Sequence, residues 1–149
     1  MSSDRHGPYL DYRFAVELDA LIVAGFAEVS GLERELETEE YEEGGVNHFT
    51  HSLPTRVSYP TLTLERGVTD STELWDWAER AANGLIERKN VRVIILDEQG
   101  QEARGWEFRD AYPVRWAGPE LSAEQGAVAM EALELTHRGI SRLEGLPPR

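Results

Sequence analysis

The chain has 149 residues and a mass of 16.8 kDa, the size of one domain, and 28 Asp and Glu against 15 Lys and Arg give it a net charge of −13. A field of that sign repels a polyanion, which argues against a protein that grips DNA through a basic surface. The lack of cysteine excludes disulfides, thiolate catalysis and cysteine-ligated zinc.

No internal repeat or low-complexity linker divides the chain, so we expect one domain over 1–149, with extended or flexible ends at about 1–8 and 144–149. The apolar stretches are too short to span a bilayer. The polar start carries no secretory signal, so synthesis in the cytoplasm without a membrane anchor is expected.

Alternating apolar and polar residues predict strands through most of the chain. The stretch Tyr12–Leu18 alternates as a strand with one buried face does. A second strand is predicted through Phe26 and Val29 toward Leu36, and the two strands would form a hairpin around Leu21–Gly25.

The segment Glu28–Glu43 concentrates acidic charge, since it holds eight Glu and one Arg. In an extended strand, four of these carboxylates share one face: Glu33, Glu35, Glu37 and Glu39. The opposite face carries Leu32, Arg34 and Leu36. A large hairpin tip at Val46–Arg56 and a return strand at Val57–Arg66 are predicted to follow. Such a tip is longer than the usual ~2–5 residues, and we expect it to touch another molecule.

His48 and His51 lie in this tip at a spacing that could supply two metal ligands, with Glu42 or Glu43 as a third. No predicted helix fixes the two imidazoles, and the sequence predicts no hydrogen-bonding partners that would orient their rings toward a metal ion. We therefore interpret both as polar residues of a loop and predict no metal site.

One helix is predicted after the return strand. Asp70 and Glu73 have the spacing of a capping box. Apolar residues then recur at helical spacing: Leu74, Trp77, Ala78, Ala81 and Leu85. Arg88 and Lys89 follow at the end where positive charge suits the helix dipole.

The next segments read as strand, turn and strand. The strands are Val91–Leu96 and Gln101–Arg109, joined by a turn at 97–100. Pro113 is predicted to kink the chain before a short strand at Val114–Trp116, and Gly118-Pro119 breaks it.

The stretch Ser122–Arg138 has the composition of a helix. As a strand it has a phase defect, because Val128 and Met130 have one parity whereas Leu133 and Leu135 have the other. Propensity alone therefore predicts a helix here.

No constellation of residues predicts catalysis or a cofactor. The serines lack the setting of an elbow nucleophile, and the abundance of Glu on an acidic surface explains any carboxylate pair. Trp75, Trp106 and Trp116 could form a sugar-stacking platform, although tryptophans of small β domains more often lie in a core or an interface. Strand edges that a small monomer cannot cover favour a subunit of an assembly.

A set of motifs occurs in one order from Phe14 to about Leu143. Its members include Phe14–Asp19, Ala24–Leu32, Glu40–Gly45, Leu53-Pro54, Tyr59–Gly67, Trp75–Trp77, Arg88–Val91, Gly118-Pro119 and Glu131–Gly139. This ordered set resembles the tail tube protein family of contractile phage tails and related contractile injection systems. The chain departs from the family pattern at Ala20, Thr55, Glu65 and Tyr112; Thr55 stands where Gly often follows Leu-Pro.

The resemblance implies a mainly β fold: a small β-barrel or sandwich with one flanking helix, and a long hairpin that joins an inner β-barrel shared between subunits. It also implies that Ala127–Arg138 is a strand, against propensity, with a bulge or two-sided burial explaining the phase defect. The implied function is a structural, non-enzymatic subunit of the inner tube, in stacked hexameric rings inside a contractile sheath.

The implied partners are further copies of the chain, the sheath protein, baseplate and tube-terminating proteins, and DNA or effector cargo in the lumen. The acidic face would line the lumen or pair with Arg66, Arg104 or Arg115 of adjacent subunits. The tip would contact a neighbouring subunit or ring through a set of candidate residues: Asn47, His48, Phe49, His51, Leu53, Pro54 and Arg56. No cofactor is implied.

Three alternatives stay open. The chain could be a monomeric β-sandwich that binds carbohydrate through its tryptophans. It could be a paralogous ring that joins the tube to the baseplate. A small hydrolase using a Glu pair is the third, without an organised site in the sequence.

Overall fold

The computed structural model describes residues 7–9, 12–23, 25–42, 50–124 and 126–144. Of the predicted ends at about 1–8 and 144–149, the stretches 1–6 and 145–149 lie outside them. The described residues form the following elements: β1 (Arg13–Leu18), β2 (Leu21–Val23), β3 (Phe26–Ser30), β4 (Glu35–Glu42), β5 (Thr50–Ser58), β6 (Leu62–Gly67), α1 (Glu73–Ala82), β7 (Lys89–Leu96), β8 (Glu102–Ala117), β9 (Met130–Thr136) and β10 (Ile140–Arg142).

All strand pairs are antiparallel, and the main sheet has the order β2-β1-β7-β8-β9-β6-β3, with β10 also paired to β8. Strands β4 and β5 form a separate two-stranded sheet. The predicted mainly β fold with one flanking helix is confirmed. Within the described part of one chain the main sheet is open rather than a closed barrel, because its end strands β2 and β3 do not pair with each other.

Strand β8 is the long element that holds the sheet together. Its first part pairs with β7 and β10 and its second part with β9. The predicted separation of Gln101–Arg109 from Val114–Trp116 is wrong, since β8 runs without a break from Glu102 through both segments to Ala117. Pro113 is tolerated because the register shifts between Pro113 and Arg115, and bulges are a usual place for proline in a sheet.

The first hairpin forms earlier than predicted. Strand β1 turns at Asp19 and Ala20, whose φ angles are 48° and 69°, and pairs with β2. The backbone N–H of Asp19 donates to the carbonyl of Asn90 at 2.9 Å, and its Oδ1 accepts the N–H of Asn90 at 2.9 Å. The predicted hairpin around Leu21–Gly25 is therefore wrong, and β3 pairs with β6 instead.

The acidic segment is two strands rather than one. Gly31 has a φ of +94° and lies against the backbone of Thr61, so the chain changes direction between β3 and β4. The return strand also differs from the prediction, because β5 begins at Thr50 and β6 follows a break at 59–61. Much of the predicted tip Val46–Arg56 is thus strand, and 43–49 lie outside the described residues.

Helix α1 buries Leu74 and Trp77, as its apolar stripe predicts. It ends at Ala82, so Leu85, 62% exposed, lies beyond it. The predicted capping box is wrong: Thr72 is the N-cap residue and makes no side-chain capping bond. Glu73 instead accepts a hydrogen bond from Arg66 at 3.2 Å.

Arg88 and Lys89 also fall beyond the helix, and Lys89 begins β7. The basic residue of the last helical turn is Arg80. The predicted positions of the two residues at the helix end are therefore wrong.

Strand β9 confirms the resemblance against local propensity. Glu131, Leu133 and Leu135 are buried on one face, where β9 pairs with both β6 and β8. The phase defect disappears because Val128 precedes the strand and is 77% exposed. The strand is shorter than Ala127–Arg138, and the bulge beside it lies in β8.

The hydrophobic core lies between the curved main sheet and α1. Its largest fully buried side chains come from the helix and the strands around it: Trp77, Phe108, Leu62, Leu64, Leu74, Leu133, Leu135, Val16 and Val91. The indole N–H of Trp77 donates to the carbonyl of Glu87 at 2.8 Å, which fixes the helix over the start of β7.

Candidate assembly surfaces

The β4–β5 hairpin stands apart from the main sheet. Its strands pair with each other and make no extensive contact with any other element among the described residues. The ring of Tyr41 stacks on His51 with the centroids 5.3 Å apart. Thr55 is the extra residue of a bulge, and its Oγ1 donates to the carbonyl of Glu37 at 3.0 Å. A hairpin without a partner in its own chain is a candidate assembly surface.

One face of this hairpin is acidic. Glu35, Glu37 and Glu39 alternate along β4 and so share this face, as predicted. Glu33 does not join them, because it lies between β3 and β4, where its N–H donates to the carbonyl of Gly31 at 2.8 Å. Arg56 lies opposite Glu37, and its hydrogen bond to that carboxylate raises the pKa of Arg56.

The other face of the hairpin carries an apolar patch, the cross-strand pair Leu36 and Val57, and also Glu40 farther along β4. Leu36 and Val57 lie directly opposite each other and are 56% and 45% exposed. Next to them Thr38 lies opposite Pro54. An exposed cross-strand pair of this kind is a surface that a second molecule can cover.

The residues predicted in the tip divide into two groups. His51, Leu53, Pro54 and Arg56 lie on β5, and Leu53 is 50% exposed opposite Glu39. The remaining three lie outside the described residues: Asn47, His48 and Phe49. Within the described part of the chain, no three His, Asp or Glu residues form a group that could hold a metal ion.

The three arginines considered as partners of the acidic face differ in access. Arg66 is 3% exposed and is already paired with Glu73 and Glu131 of its own chain, so it is no partner for a neighbour. Arg115 is 61% exposed although it pairs with Glu134 at 2.8 Å. Arg104 is exposed on β8.

Acidic residues also face each other in the main sheet. Glu28 on β3 lies opposite Glu65 on β6. A hydrogen bond with the Glu28 carboxyl raises the pKa of Glu65, since the two groups share a proton more easily than they carry two charges.

The tryptophans do not form one platform. Trp75 and Trp116 meet edge to face, with ring centroids 4.7 Å apart and planes at 84°. Trp106 packs against the core from a different part of β8. A hollow of about 360 Å³ lies beside the Trp75–Trp116 pair, between α1 and β8. The sequence analysis did not predict this surface. One signal for it was present, because Trp75 is a large apolar residue that lies off the predicted apolar stripe of the helix.

Helices of membrane-spanning length and hydropathy do not occur in the described ranges, where α1 has 10 residues.

Comparisons with known proteins bear on both the family and the fold. Residues 10–141 match the family model described as T4-like virus tail tube protein gp19. No curated protein matches the chain in sequence.

Among solved structures, the fold is similar to a chain of the PVC sheath–tube complex, an extracellular contractile injection system in its extended state. The TM-score is 0.83 at 25% identity, with 93% of each chain covered. A chain of the anti-feeding prophage baseplate gives 0.74 at 25% identity, over 96% of this chain and 97% of that one. Hcp1 from Flavobacterium johnsoniae shares the fold, with a TM-score of 0.58 at 18% identity and coverage of 89% and 95%. Because the family model spans most of the sequence, the resemblance is confirmed, and the chain belongs to the T4-like virus tail tube protein gp19 family.

Proposed function

We propose that the chain is the structural subunit of the inner tube of a contractile tail or injection system, and that it assembles as stacked hexameric rings around a lumen. The observation that carries the proposal is the β4–β5 hairpin, which, among the described residues, makes no extensive contact with the rest of its chain and leaves both outer strand edges open. Hairpins of neighbouring subunits can pair edge to edge and close a barrel that no single chain closes.

The two faces of the hairpin have different roles in this arrangement. The apolar patch of Leu36 and Val57 packs against neighbouring subunits, because burial of those side chains is favourable. The acidic face with Glu35, Glu37 and Glu39 then lines the lumen, where carboxylates stay hydrated and repel acidic cargo. Glu33, in the link before β4, lies either beside this acidic face or in the interface between subunits.

The tip of the hairpin contacts the next subunit or ring in this proposal, through Asn47, His48 and Phe49 together with His51, Leu53, Pro54 and Arg56 of β5. The other partners are the sheath, the baseplate and the proteins that terminate the tube. Support comes from the similar chains in a sheath–tube complex, a baseplate and a tube-terminating cap, the last at 23% identity. The role is structural rather than catalytic.

The subunit is made in the cytoplasm and leaves it as part of the particle, and the lumen carries DNA or protein effectors. Electron microscopy of the native particle in negative stain tests the proposal. We expect sheathed particles or bare tubes of stacked rings that contain this chain. Monomers in every preparation, including those nucleated with baseplate, would contradict it.

A ring that joins the tube to the baseplate is the second candidate, favoured by the similarity to a chain of the anti-feeding prophage baseplate. Immunogold labelling of the same particles separates the two. Label along the whole tube identifies the main tube subunit, and label at one end identifies the adaptor.

A further inference from the structure

The β4–β5 hairpin is joined to the main sheet by two short arms, here called the root: residues 31–34 before β4 and residues 59–61 after β5. Among the described residues, the hairpin makes no extensive contact with any other element. The contacts of the root therefore determine the direction in which the hairpin leaves the main sheet.

Two packing contacts hold the root. Gly31 of the first arm lies against the backbone carbonyl of Thr61 in the second arm, so the two arms stay together. Tyr59 of the second arm is half-buried and packs on His137, with the ring centroids 5.4 Å apart. The hydroxyl of Tyr59 lies beside Gly139. Since His137 and Gly139 lie between β9 and β10, this second contact joins the root to the main sheet.

The surroundings of His137 suit a neutral imidazole. Its Nδ1 accepts the backbone N–H of Gly139 at 3.2 Å, which requires that this nitrogen carry no proton. Its Nε2 is buried and has no hydrogen-bond partner among the described residues. Burial lowers the pKa of His137, against smaller opposing contributions from the nearby backbone of Pro60 and Gly139. The folded chain therefore resists protonation of this ring.

A charged His137 would have no counter-charge beside it among the described residues. The charged group that faces it from β8 is Arg109, which has the same sign and lowers the pKa of His137 further. The next residue, Arg138, is 62% exposed and pairs with Asp110 at 3.7 Å, so that carboxylate is engaged elsewhere. From the root, Tyr59 offers a ring and a hydroxyl rather than a carboxylate.

The acidic pair near the first arm responds to pH in the opposite direction. Glu28 of β3 and Glu65 of β6 lie opposite each other, and the hydrogen bond between them raises the pKa of Glu65. Protonation of this pair removes a repulsion between like charges, so acid should tighten the attachment of β3 to β6. Loosening of the root in acid would therefore come from His137 rather than from these carboxylates.

We propose that His137 and Tyr59 form a pH-sensitive clamp, here called the root clamp, which holds the β4–β5 hairpin in the direction that assembly needs and releases it when His137 takes up a proton. A charged ring can no longer accept the N–H of Gly139 and gains hydration by moving into water. Tyr59 then loses the surface on which it packs. Because the released state binds the proton better than the clamped state, acid shifts the population toward release. The inference rests on the proposed function, in which the hairpin joins subunits.

Distances between spin labels in the monomer test the clamp, and a chain without cysteine permits labelling at chosen positions only. One labelled pair is Leu53→Cys on the hairpin with Gln99→Cys in the turn between β7 and β8, both exposed. Double electron–electron resonance gives the distance distribution from about pH 8 to about pH 5, the range in which histidines titrate. We expect a narrow distribution at the alkaline end and the loss of that narrow component toward the acid end.

A second labelled pair controls for changes outside the hairpin. It joins Gln99→Cys to Leu85→Cys, which follows α1 and is 62% exposed. Because neither position belongs to the hairpin or its root, the distribution for this pair should stay the same over the whole pH range.

Three substitutions in the first labelled pair separate the clamp from other effects of acid. His137→Gln removes the titrating group and keeps an oxygen that can accept the N–H of Gly139, so the distribution should no longer depend on pH. Tyr59→Ala removes the contact itself and should give the broad distribution already at the alkaline end. His51→Gln removes an imidazole of the hairpin and should behave as the wild type. Circular dichroism checks that all three are folded.

A wild-type distribution that keeps its width over the whole pH range would overturn the root clamp. Equal broadening in His137→Gln would overturn it as well, because another group would then be responsible. Neither result depends on tubes, so the proposed function would stand in both cases. If the chain never forms tubes, the proposed function fails while the distances still test the clamp.

Tubes, where they form, test the role of the clamp in assembly. The assembled fraction of the wild type should fall toward about pH 5, whereas that of His137→Gln should not change with pH. Sedimentation of tubes followed by protein quantification measures both. A wild-type assembled fraction that does not change with pH would overturn the role of the clamp in assembly.

Discussion

Arg66 and Glu131 form an ion pair inside the protein, with Nε and Oε2 3.6 Å apart and side chains only 3% and 6% exposed. They face each other across β6 and β9. Glu131 also accepts the indole N–H of Trp116 at 3.0 Å, and Arg66 donates to Glu73 of α1 at 3.2 Å. The pair thus connects the sheet to the helix through charges that are largely shielded from water.

We predict that Glu131→Gln lowers the free energy of unfolding by about 3 kcal/mol, because it leaves the buried guanidinium of Arg66 with only Glu73, whose side chain is 49% exposed, as a counter-charge. Urea unfolding followed by far-UV circular dichroism measures it. Glu134→Gln on the same strand is the control: its partner Arg115 is 61% exposed, so the loss should stay under about 1 kcal/mol. Equal losses in the two variants would show that burial does not strengthen the inner pair.

Gly31 is the residue that allows β3 to leave the main sheet toward β4. We predict that Gly31→Ala destabilises the chain by more than about 2 kcal/mol, since its φ is +94° and a Cβ would collide with the carbonyl of Thr61. Thermal unfolding measures the loss. At Gly25, φ is +87° but the space is open, so Gly25→Ala should cost only about 1 kcal/mol. Losses of the same size would indicate that the close approach to Thr61 is relieved cheaply.

His137 should make the protein sensitive to mild acid. Its ring lies against Phe108 and Tyr59, with centroids 5.0 and 5.4 Å away, and its Nδ1 accepts the N–H of Gly139 at 3.2 Å. Burial lowers the pKa of His137 from its ordinary value of 6.5, and the charge of Arg109 lowers it further. The unfolded chain therefore takes up a proton at a higher pH than the folded one.

The consequence is a loss of stability as pH falls from about 6.5 toward the lowered value. We predict that His137→Gln flattens the decline of the melting temperature between pH 7 and pH 5. His51→Gln, on the separate β4–β5 hairpin, should keep the wild-type slope. If His137→Gln keeps it as well, carboxylates rather than this imidazole cause the acid sensitivity.

Local patterns are sufficient to predict some elements. The alternation through Arg13–Leu18 and the turn at 97–100 specify their own structure, because neighbouring residues supply the periodicity and the turn hydrogen bonds. The alternation of Glu35, Glu37 and Glu39 likewise predicts the acidic face, since side chains two positions apart point to the same side of a strand.

Elements that depend on distant partners cannot be read this way. Strand β9 has helical composition, and two-sided pairing with β6 and β8 overrides it. The pairing of β3 with β6 is accompanied by the packing of Gly31 on Thr61, a residue far away in the sequence. The edge-to-face contact of Trp75 with Trp116 joins two residues that no local window of the sequence connects.

The lumen proposal predicts a difference between adjacent residues. Glu39 lies on the acidic face and Glu40 on the other, so Glu39→Gln should reduce the binding of a cationic dye to assembled tubes, whereas Glu40→Gln should not. Co-sedimentation of the dye with tubes measures this, normalised to protein. Binding should weaken with salt, since the Debye length is about 8 Å at 0.15 M. Equal losses for the two variants would contradict the assignment of the acidic face to the lumen.

The apolar patch of the hairpin should control assembly without controlling folding. Leu36 is 56% exposed opposite Val57, and the hairpin makes no extensive contact with the rest of the described chain. We therefore predict that Leu36→Asp leaves the melting temperature of the monomer within about 2 °C, because surface substitutions cost little. It should abolish ring formation in negative stain, since an aspartate buried between subunits has no counter-charge. Leu36→Met keeps the volume and should keep the rings. Normal tubes from Leu36→Asp would mean that this face, rather than the acidic one, is exposed to the lumen.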